Sequence, residues 1–88
     1  MTKTLLLLPG DGIGPEVTAE VRRVADWMIA NAGLELNIDE RPYGGSAYDQ
    51  FGTPLPEETR QAALASDAAL MGAVGGPKWA DAPRALRP

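Results

Sequence analysis

The fold is decided near the amino terminus by residues 4–17, TLLLLPGDGIGPEV. Four consecutive leucines suit a short strand that is buried on both faces, as in a parallel sheet. The alternating glycines of residues 9–14 predict a tight turn that ends this strand. Pro15 then suits the first position of a helix, because its φ is already helical and its missing N–H is no loss there. Residues 4–17 therefore predict a strand, a turn and a helix.

An apolar stripe with helical spacing follows the turn, and its members are Val17, Val21, Val24 and Met28. Gly33 suits the position just after the end of this helix. Residues 34–39 alternate apolar with polar side chains, which predicts a second strand.

The second half of the chain predicts a loop, a helix and a strand. Residues 42–56 are rich in glycine and proline and predict a loop. Pro56 suits the first residue of another helix, which Ser66 and Asp67 end. Residues 68–74 predict a third strand, and from Gly75 onwards the pattern is typical of a loop.

The predicted order β-α-β-loop-α-β indicates an α/β protein with parallel strands and right-handed crossovers. Three strands and two helices cannot cover both faces of a sheet, so we expect exposed apolar surface. We therefore expect residues 1–88 to form a single, partial domain, the start of a larger three-layer α/β/α domain with a parallel or mixed sheet.

Composition excludes several classes of function. Eight basic residues against twelve acidic ones give a net charge of -4, which argues against a nucleic-acid partner. The chain has no cysteine and no histidine, so it forms no disulfide, zinc-thiolate site or imidazole base. Its leucine run is shorter than the about 7–15 apolar residues of a secretory signal, and no segment approaches the roughly 20 of a membrane span. We expect a cytoplasmic protein without a membrane partner.

The glycine turn has two interpretations. Helix N-termini attract anions, so the turn is a candidate phosphate cradle. However, it lacks the G-x-G-x-x-G pattern of dinucleotide sites, and Glu16 would repel a phosphate. The favoured interpretation is a tight turn that packs the helix on the strand, with Asp11 accepting hydrogen bonds from local backbone N–H groups.

The stretch 72–79, GAVGGPKW, places Lys78 and Trp79 after the third strand, at the sheet edge where open α/β sheets bind ligands. The alternative is a surface loop with an exposed lysine and a tryptophan that packs on its own domain. Trp27 is expected to be a core or interface residue, and Tyr43 and Tyr48 are expected to be packing residues. The carboxylates are scattered, and no pair has the spacing of a metal site.

Residues 9–17, PGDGIGPEV, resemble the opening signature of the β-decarboxylating dehydrogenases, the isocitrate/isopropylmalate dehydrogenase family. Residues 75–79, GGPKW, resemble the loop of its isopropylmalate dehydrogenase branch, whereas isocitrate and tartrate dehydrogenases carry other residues there. Residues 43–49 and 52–56 resemble the stretch between the two motifs. The resemblance covers all 88 residues but only the opening part of a family member.

The resemblance implies NAD-dependent oxidative decarboxylation of 3-isopropylmalate to 4-methyl-2-oxopentanoate in leucine biosynthesis. It also implies Mg²⁺ or Mn²⁺ as Lewis acid, and a homodimer. The family's catalytic residues and metal ligands lie further along the polypeptide, so none is assigned within this chain, which we expect to be inactive alone. The alternatives are a tartrate- or isocitrate-type dehydrogenase of the same family, and a stand-alone nucleotide-binding module.

The resemblance further implies a cofactor-binding segment, because the end of the chain matches the family stretch associated with NAD. Its members are Gly76, Pro77, Lys78, Trp79, Ala80, Asp81, Ala82, Pro83, Arg84, Ala85, Leu86, Arg87 and Pro88. From Asp81 onwards the match is looser, so contacts there are expected through the backbone or by proximity. Ile13 is a weaker cofactor candidate.

Overall fold

The computed structural model describes residues 2–87, so the predicted cofactor contact of Pro88 lies outside the described residues. One helix separates the first two strands, two helices separate the second strand from the third, and two short 3₁₀ turns follow the last strand. Their bounds are β1 Lys3–Gly10, α1 Gly14–Asn31, β2 Leu36–Glu40, α2 Gly45–Phe51, α3 Glu57–Ala65 and β3 Ala68–Ala73, with 3₁₀ turns at Pro77–Trp79 and Arg84–Leu86.

The strands form one sheet in the order β2-β1-β3, and both neighbouring pairs are parallel. Leu6 and Leu7 lie at the centre of β1 and are both 0% exposed. Successive residues of a strand point to opposite faces, so the sheet is covered on both sides at this point. The predicted α/β class with parallel pairing is confirmed.

The strand β1 extends two residues beyond the predicted boundary at Leu8, through Pro9 and Gly10. Gly10 is aligned with Ala73 of β3 and has a φ of 78°, which favours glycine. The N–H of Asp11 then donates to the carbonyl of Ala73 at 2.6 Å. Pairing with β3 therefore continues β1 to the edge of the sheet, although Pro9 itself has no N–H to donate.

The ends of α1 agree with the prediction. The helix begins at Gly14 with proline in its first turn, and it ends at Asn31. Gly33 adopts the left-handed conformation with a φ of 71°, as expected for the residue after a helix end.

The apolar stripe of α1 is not its most buried face. The buried residues are Gly14, Thr18 and Ala25, whereas Val17 and Val24 of the predicted stripe are 45% and 61% exposed. Small residues face the sheet because α1 lies very close to it: a Cβ added to Gly72 of β3 would lie 2.8 Å from Thr18 Oγ1. Only the smaller side chains fit in this space, whereas Val21 and Val24 line a groove beside β2.

The expected exposed apolar surface is present on helices, on β3 and in the turn before α1. Large apolar side chains exposed by at least half include Ile13, Val24, Trp27, Phe51, Leu64 and Met71. Trp27, at 61% exposure, is therefore not part of the core of this chain. An apolar groove of about 340 Å³ separates α1 from β2 and is lined by Leu5, Val21, Val24, Ala25, Met28, Leu34 and Leu36. No helix within residues 2–87 is both long and apolar enough to cross a membrane.

Residues 42–56 were predicted to be a loop, but they contain a helix, α2, so this prediction is wrong. The other helix and strand boundaries differ from the predicted ones by at most two residues. The helix α3 begins one residue after Pro56, which was predicted to be its first residue, and Ser66 ends it as predicted. The Oγ1 of Thr59, which is buried in α3, donates to the carbonyl of Pro42 at 2.7 Å. This bond holds the start of the 42–56 segment against α3.

Candidate functional site

The turns after the three strands meet at one edge of the sheet, because all three strands are parallel. We call this region the carboxyl edge and define it as residues 10–14, 41–46 and 73–79. Both candidate functional motifs of the sequence, the glycine turn and the GGPKW loop, lie in this region. The topology therefore joins two segments that are separated by some sixty residues of chain.

Asp11 is the central side chain of the carboxyl edge. Its residue is only 5% exposed. Its Oδ2 accepts hydrogen bonds from the N–H groups of Gly45 at 2.6 Å and Gly75 at 3.0 Å, and its Oδ1 accepts from Ser46 N–H at 2.7 Å. The predicted role as acceptor for backbone N–H groups is correct, but the partners are distant in sequence rather than local. One carboxylate thus joins the β1–α1 turn, α2 and the loop after β3.

The environment of Asp11 keeps it ionised. Burial alone raises the pKa of its carboxyl, because desolvation disfavours the charged form. The backbone N–H groups of Gly45, Gly75 and Ser46 outweigh this effect and hold the pKa below its usual value. Asp11 is therefore a buried anion at neutral pH, and its charged hydrogen bonds are stronger than neutral ones.

The same carboxylate explains why α2 forms in a segment predicted to be a loop. The residue before α2, Gly44, has a φ of 90° and supplies no side-chain cap. Asp11 supplies the cap from another part of the chain by accepting from the first N–H groups of the helix. Ser46 adds a bond from its Oγ to the carbonyl of Gly10 at 3.2 Å.

Lys78 and Trp79 both donate to one carboxylate of α2. The Nζ of Lys78 lies 2.6 Å from Asp49 Oδ2, and the Nε1 of Trp79 lies 3.1 Å from Asp49 Oδ1. The Trp79 ring covers Gly45, where an added Cβ would overlap it. The loop thus lies at the carboxyl edge as predicted, and its tryptophan also packs on its own domain, as the alternative interpretation expected.

Asp49 is a residue that the sequence analysis missed. Hydrogen bonds from Lys78 and Trp79 lower the pKa of its carboxyl. No local pattern identifies it, because its partners are 29 and 30 residues away. The role of Asp49 becomes evident only from the structure, in which α2 lies beside the GGPKW loop.

The rest of the predicted cofactor segment leads away from Trp79 through a second 3₁₀ turn. Most of residues 80–87 are exposed, whereas Ala82 and Leu86 are half-buried. Arg87 donates from Nε to the carbonyl of Ala82 at 2.9 Å, which folds the segment back on itself. The weaker candidate Ile13 is 66% exposed at the start of α1, at the same edge of the sheet.

The start of α1 favours the interpretation of a tight turn over a phosphate cradle. Gly14 N–H already donates to the carbonyl of Asp11 at 2.8 Å, and Pro15 has no N–H. Glu16 adds a negative charge to the first turn. An anion would therefore find few donors and a repelling carboxylate at this helix end.

Metal binding has no basis in the described part of the chain. Within residues 2–87, no three histidine, cysteine, aspartate or glutamate side chains are grouped so that they could hold a metal ion. The side chains of the described residues therefore do not fit a divalent ion.

The fold is that of an α/β protein with a parallel sheet, whose glycine-containing turns meet at the carboxyl edge. The chain belongs to the isocitrate/isopropylmalate dehydrogenase family, whose sequence model matches residues 4–88.

Within this family, the chain is similar to curated 3-isopropylmalate dehydrogenases. The chain is 69% identical over 85 residues to a 3-isopropylmalate dehydrogenase of Caulobacter vibrioides, covering 97% of this chain and 23% of that protein. It is 59% identical over 86 residues to the 3-isopropylmalate dehydrogenase of Paramagnetospirillum magneticum. This match covers 98% of this chain and 23% of that protein. The chain therefore spans about a quarter of the length of these relatives.

Solved structures show the same fold. A β-decarboxylating dehydrogenase from Thermococcus kodakarensis, in its apo form, matches with a TM-score of 0.71 and 30% identity, covering 86% of this chain and 22% of that one. An isocitrate dehydrogenase from Methylococcus capsulatus matches with a TM-score of 0.73 and 31% identity. This match covers 88% of this chain and 21% of that one.

Proposed function

We propose that this chain is the amino-terminal part of an NAD-dependent 3-isopropylmalate dehydrogenase of leucine biosynthesis. In the proposed reaction, the C2 hydroxyl of 3-isopropylmalate is oxidised with hydride transfer to NAD, and the β-keto acid loses CO₂ to give 4-methyl-2-oxopentanoate. The observation that carries the proposal is the GGPKW loop, held at the carboxyl edge of a chain that is 69% identical to a 3-isopropylmalate dehydrogenase.

The contribution of this chain to the reaction is cofactor binding by residues 76–88. Within 76–87, three basic residues (Lys78, Arg84 and Arg87) stand against one acidic residue, Asp81, although the whole chain carries a net charge of -4. All three basic side chains belong to exposed residues. The exposed guanidinium groups of Arg84 and Arg87 suit the pyrophosphate of a dinucleotide, whereas the Lys78 ammonium is paired with Asp49.

Asp11 prepares the loop for this task. Because it holds Gly75 N–H and the start of α2 together, the loop leaves β3 in a fixed direction before any ligand arrives. A binding loop that is already ordered loses less conformational entropy when it binds. Asp11 therefore supports cofactor binding without touching the cofactor.

The remaining chemistry is assigned to polypeptide beyond this segment. The substrate arginines, the proton-transfer residues and the ligands of Mg²⁺ or Mn²⁺ are proposed to lie there, in a cytoplasmic homodimer. On this account residues 1–88 form one partial domain and do not oxidise 3-isopropylmalate by themselves. The exposed apolar side chains on α1 and α3 agree with a larger sheet and disfavour a stand-alone nucleotide-binding module.

The second candidate is an isocitrate-type dehydrogenase, which the structural likeness to the Methylococcus enzyme favours. The two branches share the fold, so the fold alone does not separate them. The residues after the double glycine, Pro77 to Trp79, support the isopropylmalate branch.

A chimera tests the proposal. Residues 4–88 replace the corresponding segment of the Caulobacter enzyme, and NADH formation is measured with 3-isopropylmalate, isocitrate and tartrate. We expect turnover of 3-isopropylmalate close to that of the parent. The control places the same residues in the Methylococcus isocitrate dehydrogenase, where we expect isocitrate turnover to fall. A folded Caulobacter chimera that is inactive with 3-isopropylmalate, or prefers isocitrate, contradicts the proposal.

A further inference from the structure

We propose that Asp49 is a positioning residue for the cofactor loop, a role that rests on the proposed function. Asp49 lies on α2, outside both sequence motifs and outside the segment 76–88. Its two carboxylate oxygens hold two successive loop side chains, Lys78 and Trp79. It thereby sets the conformation from which the loop binds NAD.

The geometry is more specific than that of an ordinary surface ion pair. The Lys78 and Asp49 side chains are 69% and 40% exposed, so their charge attraction alone is weak. Three further contacts restrict the arrangement: the Trp79 Nε1 bond to Asp49, the Trp79 ring against Gly45, and Lys78 Nζ 5.5 Å from the centre of that ring. Together they form a network in which each side chain orients the next.

The loop is held at its base and at its tip, and each of these contacts connects the loop to α2. Its base is held where Gly75 N–H donates to Asp11, which also caps α2. Its tip is held where Lys78 and Trp79 donate to Asp49, one turn further along the same helix. The short helix α2 thus serves as the platform on which the loop is ordered.

Loss of the Asp49 contact would release the tip but leave the base in place. The loop would then have to be ordered during cofactor binding, which weakens affinity for NAD. The chemical step would change little, because Asp49 contacts neither the cofactor nor the substrate in this account. The expected kinetic signature is a higher KM for NAD at an unchanged kcat.

The first test uses the Caulobacter chimera with Asp49→Asn, which keeps the shape but removes the charge. We expect the KM for NAD to rise about threefold to fivefold, with kcat and the KM for 3-isopropylmalate unchanged. Asp26→Asn, an exposed carboxylate on α1, is the matched control and leaves all three constants unchanged. In a Lys78→Gln background the effect of Asp49→Asn becomes smaller, because one of its two partners is gone.

The second test does not depend on turnover. The N–H groups of Trp79, Ala80 and Ala82 donate to loop carbonyls, so their hydrogen exchange reports loop order. We expect Asp49→Asn to speed their exchange, while the exchange of β1 and β3 stays as before.

The outcomes separate the two proposals. An unchanged exchange rate at residues 79–82 overturns the role of Asp49, even in a chimera without activity. A fall in kcat without a change in the KM for NAD also overturns it. A folded but inactive chimera in which Asp49→Asn still loosens the loop overturns the proposed function, whereas the ordering of the loop by Asp49 stands as a structural contact.

Discussion

The carboxylate of Asp11 accepts a hydrogen bond at 3.0 Å from the backbone N–H of Gly75, which lies 64 residues further along the chain. The two residues follow neighbouring parallel strands, β1 and β3, so their turns meet at one edge of the sheet. Asp11 also caps α2, and it is therefore the residue on which the arrangement of the proposed cofactor loop depends.

Asp11→Asn is expected to destabilise the chimera by about 2–3 kcal/mol, because buried N–H groups would lose a charged acceptor. The free energy of unfolding, measured by urea denaturation, checks this. Asp26→Asn again serves as control and is expected to change stability by less than about 0.5 kcal/mol. Equal effects of the two substitutions would contradict the role given to Asp11.

Stability should depend on acid pH through Asp11. Its folded-state pKa is lowered, so the anion stabilises the fold above its unfolded pKa of about 3.9. This contribution is lost as pH falls below that value and through the folded-state pKa. Urea denaturation below about pH 4 should show a steeper loss of stability in the wild-type chimera than in Asp11→Asn, whereas parallel pH profiles would contradict the account.

Gly45→Ala should displace the loop even though alanine is the better helix former. An added Cβ overlaps the Trp79 ring, and we expect a loss of about 1–3 kcal/mol that exceeds the roughly 1 kcal/mol gained in helix propensity. In a Trp79→Ala background the same substitution should become neutral or stabilising. Thermal denaturation of the four proteins checks this, and an equal loss in both backgrounds would show that the ring is not the cause.

Thr18→Val should stabilise the protein. Thr18 is 1% exposed, and its Oγ1 has no hydrogen-bond partner among the described residues. A buried hydroxyl without a partner costs about 1 kcal/mol or more, and valine has nearly the same shape. Urea denaturation should show a gain of about 1 kcal/mol, and a destabilised Thr18→Val variant would indicate that the hydroxyl is bonded in solution.

Sequence patterns correctly predicted those strands, turns and helix ends that are determined by residues close together in the chain. Residues 4–17 identified β1, the turn and the start of α1, because consecutive leucines, glycines and Pro15 act within a few residues. The parallel topology followed from the alternation of elements, and it correctly placed the GGPKW loop at the carboxyl edge.

Features that depend on distant partners were not predictable in this way. The helix α2 was missed because its cap, Asp11, lies 34 residues before it. The burial of Thr18 on α1 was not evident from the sequence, because it depends on the close approach of α1 to Gly72 of β3. The contact of Asp49 with the loop depends on α2 and could not be inferred without it.

The central claim is that residues 76–88 bind NAD from a loop arranged by Asp11 and Asp49. The most direct measurement is hydrogen exchange of the Caulobacter chimera with and without saturating NAD. Slower exchange in residues 76–87, with unchanged exchange in β2, is the predicted result. Equal exchange of residues 76–87 in the presence and absence of NAD, in a chimera that binds the cofactor, would contradict the claim.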